Sequence, residues 1–91
     1  MGKYYVDVKE TAKKDIQRIF RSGDKITIRK LEKIIQELAE HPYSGSGNPE
    51  LLKYTLFGYW SRRLNKKDRL IYQIIEEPDQ LVVIVSALGH Y

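Results

Sequence analysis

The chain changes character at His41-Pro42. Before that point its apolar residues recur at helical spacing; after it they fall into short β-branched and aromatic runs divided by turn residues. The proline enforces the break, because the residue before it is pushed out of the helical region. On the helical side, Ile28, Leu31, Ile34, Ile35 and Leu38 form one stripe, with Glu37 and Glu40 outside it. Upstream, from about Glu10, Ala12, Ile16, Ile19 and Phe20 form a second stripe with Lys and Arg on the opposite face. Gly23 ends the first helix and Asp24 caps the next. Helices joined this closely form an antiparallel hairpin. Ahead of them, Tyr4-Tyr5-Val6-Asp7-Val8 reads as a strand.

Beyond Pro42, residues 43–49 read as a loop rich in Gly, Ser, Asn and Pro, with Gly45-Ser46-Gly47-Asn48 as a flexible connector. Three strands follow, at about Lys53–Leu64, Arg69–Ile75 and Leu81–Leu88, with turns at Asn65-Lys66-Lys67-Asp68 and Glu76-Glu77-Pro78-Asp79-Gln80. The predicted order is β-α-α-β-β-β. It defines a small α+β fold in which an antiparallel sheet carries the helical hairpin on one face and leaves the other open or concave.

A length of 91 residues bounds this to one domain, 1–91, and 42% hydrophobic content suffices for a packed core. No apolar run nears the ~20 residues that cross a bilayer, and the N-terminus has no apolar signal region, so the expected compartment is the cytoplasm, with no membrane partner. There is no cysteine, hence neither a disulfide framework nor a thiolate metal site. His41 and His90 stand too far apart to suggest a ligand pair, and His41 fits a helix C-terminus. No metal site and no cofactor are expected. Gly45-Ser46-Gly47-Asn48 lacks the Gly-Lys-Ser/Thr of a nucleotide-binding loop.

Charge points to the partner. The net charge is +4 and the pI about 9.3. Residues 50–72 hold six cations, Lys53, Arg62, Arg63, Lys66, Lys67 and Arg69, against only Glu50 and Asp68. That stretch carries the whole net charge, which favours an anionic partner. Arg62 and Arg63 are strand neighbours and point to opposite faces. If Arg63 lines a site with Arg69, Arg62 faces the helices or an exposed edge. Trp60 reads as core rather than as a base-stacking ring, and Tyr4, Tyr5 and Tyr72 read as structural. Taken singly, Glu50, Arg69 and His90 are ordinary surface residues; together with Lys53 and Arg63 they supply a carboxylate, cations and an imidazole, the groups that move protons around a phosphate.

Their joint pattern is more specific. Pro42, Gly45-Ser46-Gly47-Asn48-Pro49-Glu50, Leu52-Lys53, Gly58-Tyr59-Trp60-Ser61-Arg62-Arg63, Arg69-Leu70-Ile71-Tyr72 and the final His90-Tyr91 resemble the YoeB/Txe branch of the RelE-type toxin superfamily, the ribonuclease halves of bacterial toxin–antitoxin pairs. The resemblance covers over half the chain. It implies the RelE-like fold, with Glu50 as general base, His90 as general acid and Arg69 stabilising charge on the scissile phosphate. It also implies Lys53 and Arg63 as further phosphate contacts and Tyr91 orienting the substrate. The implied activity is ribosome-dependent endoribonuclease cleavage of mRNA in the A site, held in check by a cognate antitoxin of the YefM/Axe type. Gly89 departs from the pattern, standing where relatives tend to carry a larger side chain. Two other readings compete: a non-catalytic inhibitor of DNA gyrase of the ParE kind, which needs neither Glu50 nor a terminal His90-Tyr91, and a plain RNA-binding module using the basic strands.

Overall fold

The computed structural model describes residues 3–89. The chain runs β1 (Tyr5–Val8), α1 (Glu10–Ser22), α2 (Lys25–Leu38), β2 (Glu50–Leu51), a 3₁₀ turn (Tyr54–Leu56), β3 (Tyr59–Arg63), β4 (Arg69–Ile75) and β5 (Leu81–Gly89). The two helices and the boundary between them fall where the stripes put them. Gly23 closes α1 in the left-handed region, at φ 77°, where a side chain would be strained. Asp24 caps α2, accepting from the Thr27 amide at 3.2 Å and the Thr27 hydroxyl at 2.7 Å. Leu31, Ile34 and Leu38 of α2 and Ala12 and Ile19 of α1 are buried against Leu70, Tyr72, Val82, Ile84 and Ala87 of the sheet. Phe20, expected in the α1 stripe, is instead 47% exposed in the last turn of the helix.

The sheet has five strands in the order β1-β5-β4-β3-β2. Three of its pairings are antiparallel as expected, but β1 lies parallel to β5, so the sheet is mixed. A parallel neighbour needs a long crossover, and here everything from α1 to β4 serves as one. The long strand expected over 53–64 is broken. Tyr54, with φ 60°, and Gly58, with φ 95°, turn the backbone back on itself. Glu50-Leu51, ahead of the strand expected from Lys53, forms the edge strand β2 of the resulting hairpin. Strand β5 carries two irregularities against β4, where the partner of Ile71 is Ser86 but the partner of Tyr72 is Ile84. Asp15 of α1 takes up the polar groups freed there, accepting from the Ala87 amide at 3.1 Å and the Ser86 hydroxyl at 3.2 Å.

The face away from the helices is not bare. Ile71 and Val83 alternate with core residues along their strands and are nonetheless only 2% and 6% exposed, and Ser61 is wholly buried.

Candidate active site

Arg62 and Arg63 do split across the sheet, and the split organises the site. Arg62 turns towards the helices and is completely buried. Its Nη1 donates to Glu37 Oε1 at 2.7 Å, its Nη2 to the carbonyls of Ser44 (2.8 Å) and His41 (3.0 Å), and its Nε to the Tyr72 hydroxyl at 3.1 Å. Tyr72 in turn donates to the Pro42 carbonyl at 2.8 Å. Glu37 completes the clamp by accepting from the Ser46 amide and hydroxyl, both at 2.7 Å. Burial pushes the Glu37 carboxyl up, but the Ser46 donors and the Arg62 charge outweigh it, and the group sits below its ordinary range. The connector 43–49 is therefore not flexible: a guanidinium pins its carbonyls and a carboxylate holds its turn. Gly47 turns it with φ 83°, its carbonyl accepting from the Arg63 amide at 2.7 Å. An added Cβ there would stand 2.8 Å from the Arg63 carbonyl. The segment leading to Glu50 is thus rigid.

A second clasp holds its other end. Tyr4 donates to Glu76 Oε2 at 2.7 Å and Tyr43 donates to the same oxygen. The bond to that carboxylate pushes the Tyr43 phenol up to about 12, and the hydroxyl donors, Tyr4 first and then Tyr43, hold Glu76 below its usual range. Trp60, half-buried and packed on the core as expected, meets Tyr43 edge to face at 5.5 Å.

On the opposite face stand Glu50, Arg63 and Arg69. Glu50 pairs with Ser61 across β2–β3, and Arg63 pairs with Arg69 across β3–β4. Directly opposed residues share a face, so the two arginines stand side by side, an arrangement that costs stability when nothing anionic lies between them. Arg69 Nη1 donates to Glu50 Oε1 at 3.2 Å, with the two side chains 20% and 57% exposed. An ion pair that open contributes at most about 1 kcal/mol. Stability therefore does not account for the cluster, whereas an anionic ligand would. Lys53 lies exposed just past β2, at the start of the 3₁₀ turn. Gly89 at the end of β5 is the partner of Arg69. His90 and Tyr91 lie outside the described residues. Of the six residues singled out from sequence, the fold brings Glu50, Arg63 and Arg69 to one face and puts Lys53 next to β2.

Sequence reasoning missed two features. The clamp of Arg62, Glu37 and Ser46 has one faint signal: Glu37, three residues beyond Ile34, borders the α2 stripe. The other is a recess of about 280 Å³ beside Arg63, lined by Lys30, Gly47, Asn48, Arg63, Leu64 and Asn65 and by no acid. Nothing local marks Lys30 for it. Among the described residues no three His, Asp or Glu side chains gather as they would to hold a metal ion.

This fold is that of a known class of small bacterial toxins. The YoeB/ParE toxin from Agrobacterium tumefaciens superposes with a TM-score of 0.82 at 25% identity, covering 96% of this chain and 99% of that one. A chain of the heterotetrameric YoeB–YefM toxin–antitoxin complex from Staphylococcus aureus superposes with a TM-score of 0.75 at 29% identity, covering 97% and 98%. In sequence, toxin YoeB of Synechocystis is 40% identical over 72 residues, 79% of this chain and 80% of that protein. Residues 8–91 match the profile of the YoeB-like toxins of bacterial type II toxin–antitoxin systems. The chain belongs to that family.

Proposed function

We propose that this toxin is a ribosome-dependent endoribonuclease of the bacterial cytoplasm that cleaves mRNA in the A site. The observation that carries the reading is the exposed cluster itself: two arginines directly opposed across β3–β4, with a solvent-accessible carboxylate 3.2 Å from one of them. RNA cleaves at its own 2′-hydroxyl when that group is deprotonated and attacks the adjacent phosphorus. The reaction needs a base at the 2′-hydroxyl, cations on the crowded phosphorane and an acid at the departing 5′-oxygen. In the proposed mechanism Glu50 takes the 2′-hydroxyl proton, and Arg69 and Arg63 stabilise the negative charge that builds on the phosphate oxygens. Lys53 contacts a neighbouring phosphate. His90 gives its proton to the 5′-oxygen, and Tyr91 orients the substrate. Bond formation between 2′-oxygen and phosphorus and cleavage to the 5′-oxygen leave a 2′,3′-cyclic phosphate and a 5′-hydroxyl. Positioned acid–base groups of this kind contribute ~10²–10⁴-fold.

The partner proposed to silence it is a cognate YefM-type antitoxin, as in the S. aureus complex. An acidic antitoxin segment that covers Arg63 and Arg69 would block the phosphate site without resembling RNA.

Glu50→Gln tests the reading, since it keeps shape and hydrogen bonding but removes the base. Cleavage of mRNA on programmed ribosomes is expected to collapse with ribosome binding retained, and His90→Ala is expected to do the same. Equal loss of binding and cleavage in Glu50→Gln would make Glu50 structural and refute the acid–base scheme.

A further inference from the structure

Ser61 sits in the middle of β3 with none of its surface exposed, and among the described residues its hydroxyl is the one buried side-chain group without a hydrogen-bond partner. An unpaired buried hydroxyl destabilises a fold, and such exceptions need a reason. The neighbours supply one. Ser61 is directly opposite Glu50 of β2, so their Cβ atoms share a face at about 4.5–5.5 Å. Arg69 starts from β4, two strand spacings from β2, or roughly 10 Å. Its guanidinium nonetheless reaches within 3.2 Å of the Glu50 carboxylate. The ion pair must therefore lean across β3, over the face that carries Ser61 and Arg63. Register thus puts Ser61 under the Glu50 end of that pair.

The proposed reaction makes opposite demands on that pair. Arg69 has to turn to the phosphate, while Glu50 has to stay aimed at the 2′-hydroxyl after losing its cation. A carboxylate left without its partner is neither oriented nor satisfied unless another donor takes over. We propose that Ser61 is that donor, a positioning residue whose hydroxyl binds the Glu50 carboxylate when RNA draws Arg69 onto the phosphate. The inference rests on the nuclease reading above. Ser61 keeps its proton throughout; the proton that moves is that of the 2′-hydroxyl, and it goes to Glu50. Among the described residues, Arg63 on β3 and Lys53 just past β2 are the other cations that register and sequence place beside Glu50, both engaged with phosphates in the same scheme.

The test compares Ser61→Ala with the unaltered toxin in single-turnover cleavage of mRNA on programmed ribosomes over a range of toxin concentrations, beside thermal unfolding. The substitution deletes only an unpartnered buried oxygen, so the unfolding midpoint is expected to hold or rise. Ribosome affinity is expected to stay unchanged while the cleavage rate at saturation falls about tenfold or more. A loss confined to the rate at saturation, with affinity and stability kept, is what a positioning role predicts and a merely structural one does not. A stable variant with an unchanged rate at saturation overturns the proposal. So does a fall in midpoint that accompanies the fall in rate, which would make Ser61 structural. Glu50→Gln in the same assay separates the two readings. If the unaltered toxin does not cleave, the nuclease reading fails; if Glu50→Gln cleaves at the full rate, Glu50 is not the base and the role of Ser61 falls with it; if Glu50→Gln is inactive while Ser61→Ala is fully active, only the role of Ser61 fails.

Discussion

Replacing Glu37 by glutamine removes one negative charge from the clamp under the site and leaves its shape intact. The partner, Arg62, is 0% exposed and the Glu37 side chain only 16%, so the guanidinium cannot turn to water for compensation. Breaking such a pair from one side costs about 3–5 kcal/mol. Glutamine still offers an oxygen to Arg62 Nη1 and the Ser46 amide, which returns part of this, so the loss should be about 2–3 kcal/mol. For a domain of this size each kcal/mol shifts the unfolding midpoint by roughly 4–8 °C, which gives a fall of roughly 10–20 °C at pH 7. The charge has its own signature in pH. Because folding lowers the Glu37 carboxyl below its ordinary range, its contribution is complete above that range and disappears as pH falls through the folded value. Thermal and urea unfolding of both proteins from pH 7 into the acid range should therefore show a gap that closes on acidification. A midpoint within about 2 °C of the parent at pH 7, on the scale of that size relation, or a gap that persists in acid, would refute the reasoning.

Gly47→Ala forces a Cβ into the Arg63 carbonyl at a φ of 83° and should destabilise by about 1–2 kcal/mol, lowering the unfolding midpoint and weakening ribosome binding through displaced Arg63. Lys30→Glu puts a negative charge into the recess beside Arg63. If the recess carries RNA backbone, binding to programmed ribosomes weakens and the slope of log affinity against log salt flattens by about one; unchanged binding would separate the recess from the substrate path. Association with the antitoxin should slow as ionic strength rises, less so when Arg63 and Arg69 are neutralised. Salt-independent rates, the same in the variants, would show that docking uses an apolar surface instead.

How much of this was legible depended on how local its cause was. The caps at Gly23 and Asp24, the α2 stripe and the division of Arg62 from Arg63 follow from chain geometry within a few residues, and they were readable. The direction of β1 was not, because a strand of four residues carries no signal for parallel or antiparallel pairing with a partner seventy-odd residues away. Nor was the break in the 53–64 strand, where Tyr54 adopts a conformation that its type gives no reason to expect. The connector 43–49 looked flexible because its composition is that of a loop. Its rigidity comes from Arg62 and Glu37, which are 25 positions apart. For the site, the basic stretch and the pattern of Glu50, Lys53, Arg63 and Arg69 were visible in sequence. The opposition of Arg63 to Arg69 was set by register alone.

The position of β5 has a consequence for synthesis. It is the last strand in sequence, yet in the sheet it lies between β1 and β4 and forms the floor for α1. A nascent chain emerging from its N-terminus presents the apolar faces of α1 and β1 before Val82 and Ile84 exist to cover them. Until residues 81–89 are free of the ribosome, β1 has no neighbour, Asp15 has no amide to accept from, and Arg69 lacks the strand that flanks it. Contacts this distant in sequence also close slowly. Any product that stops short of β5 is thus denied sheet, core and site together, and the toxin cannot become competent in instalments while it is still being made.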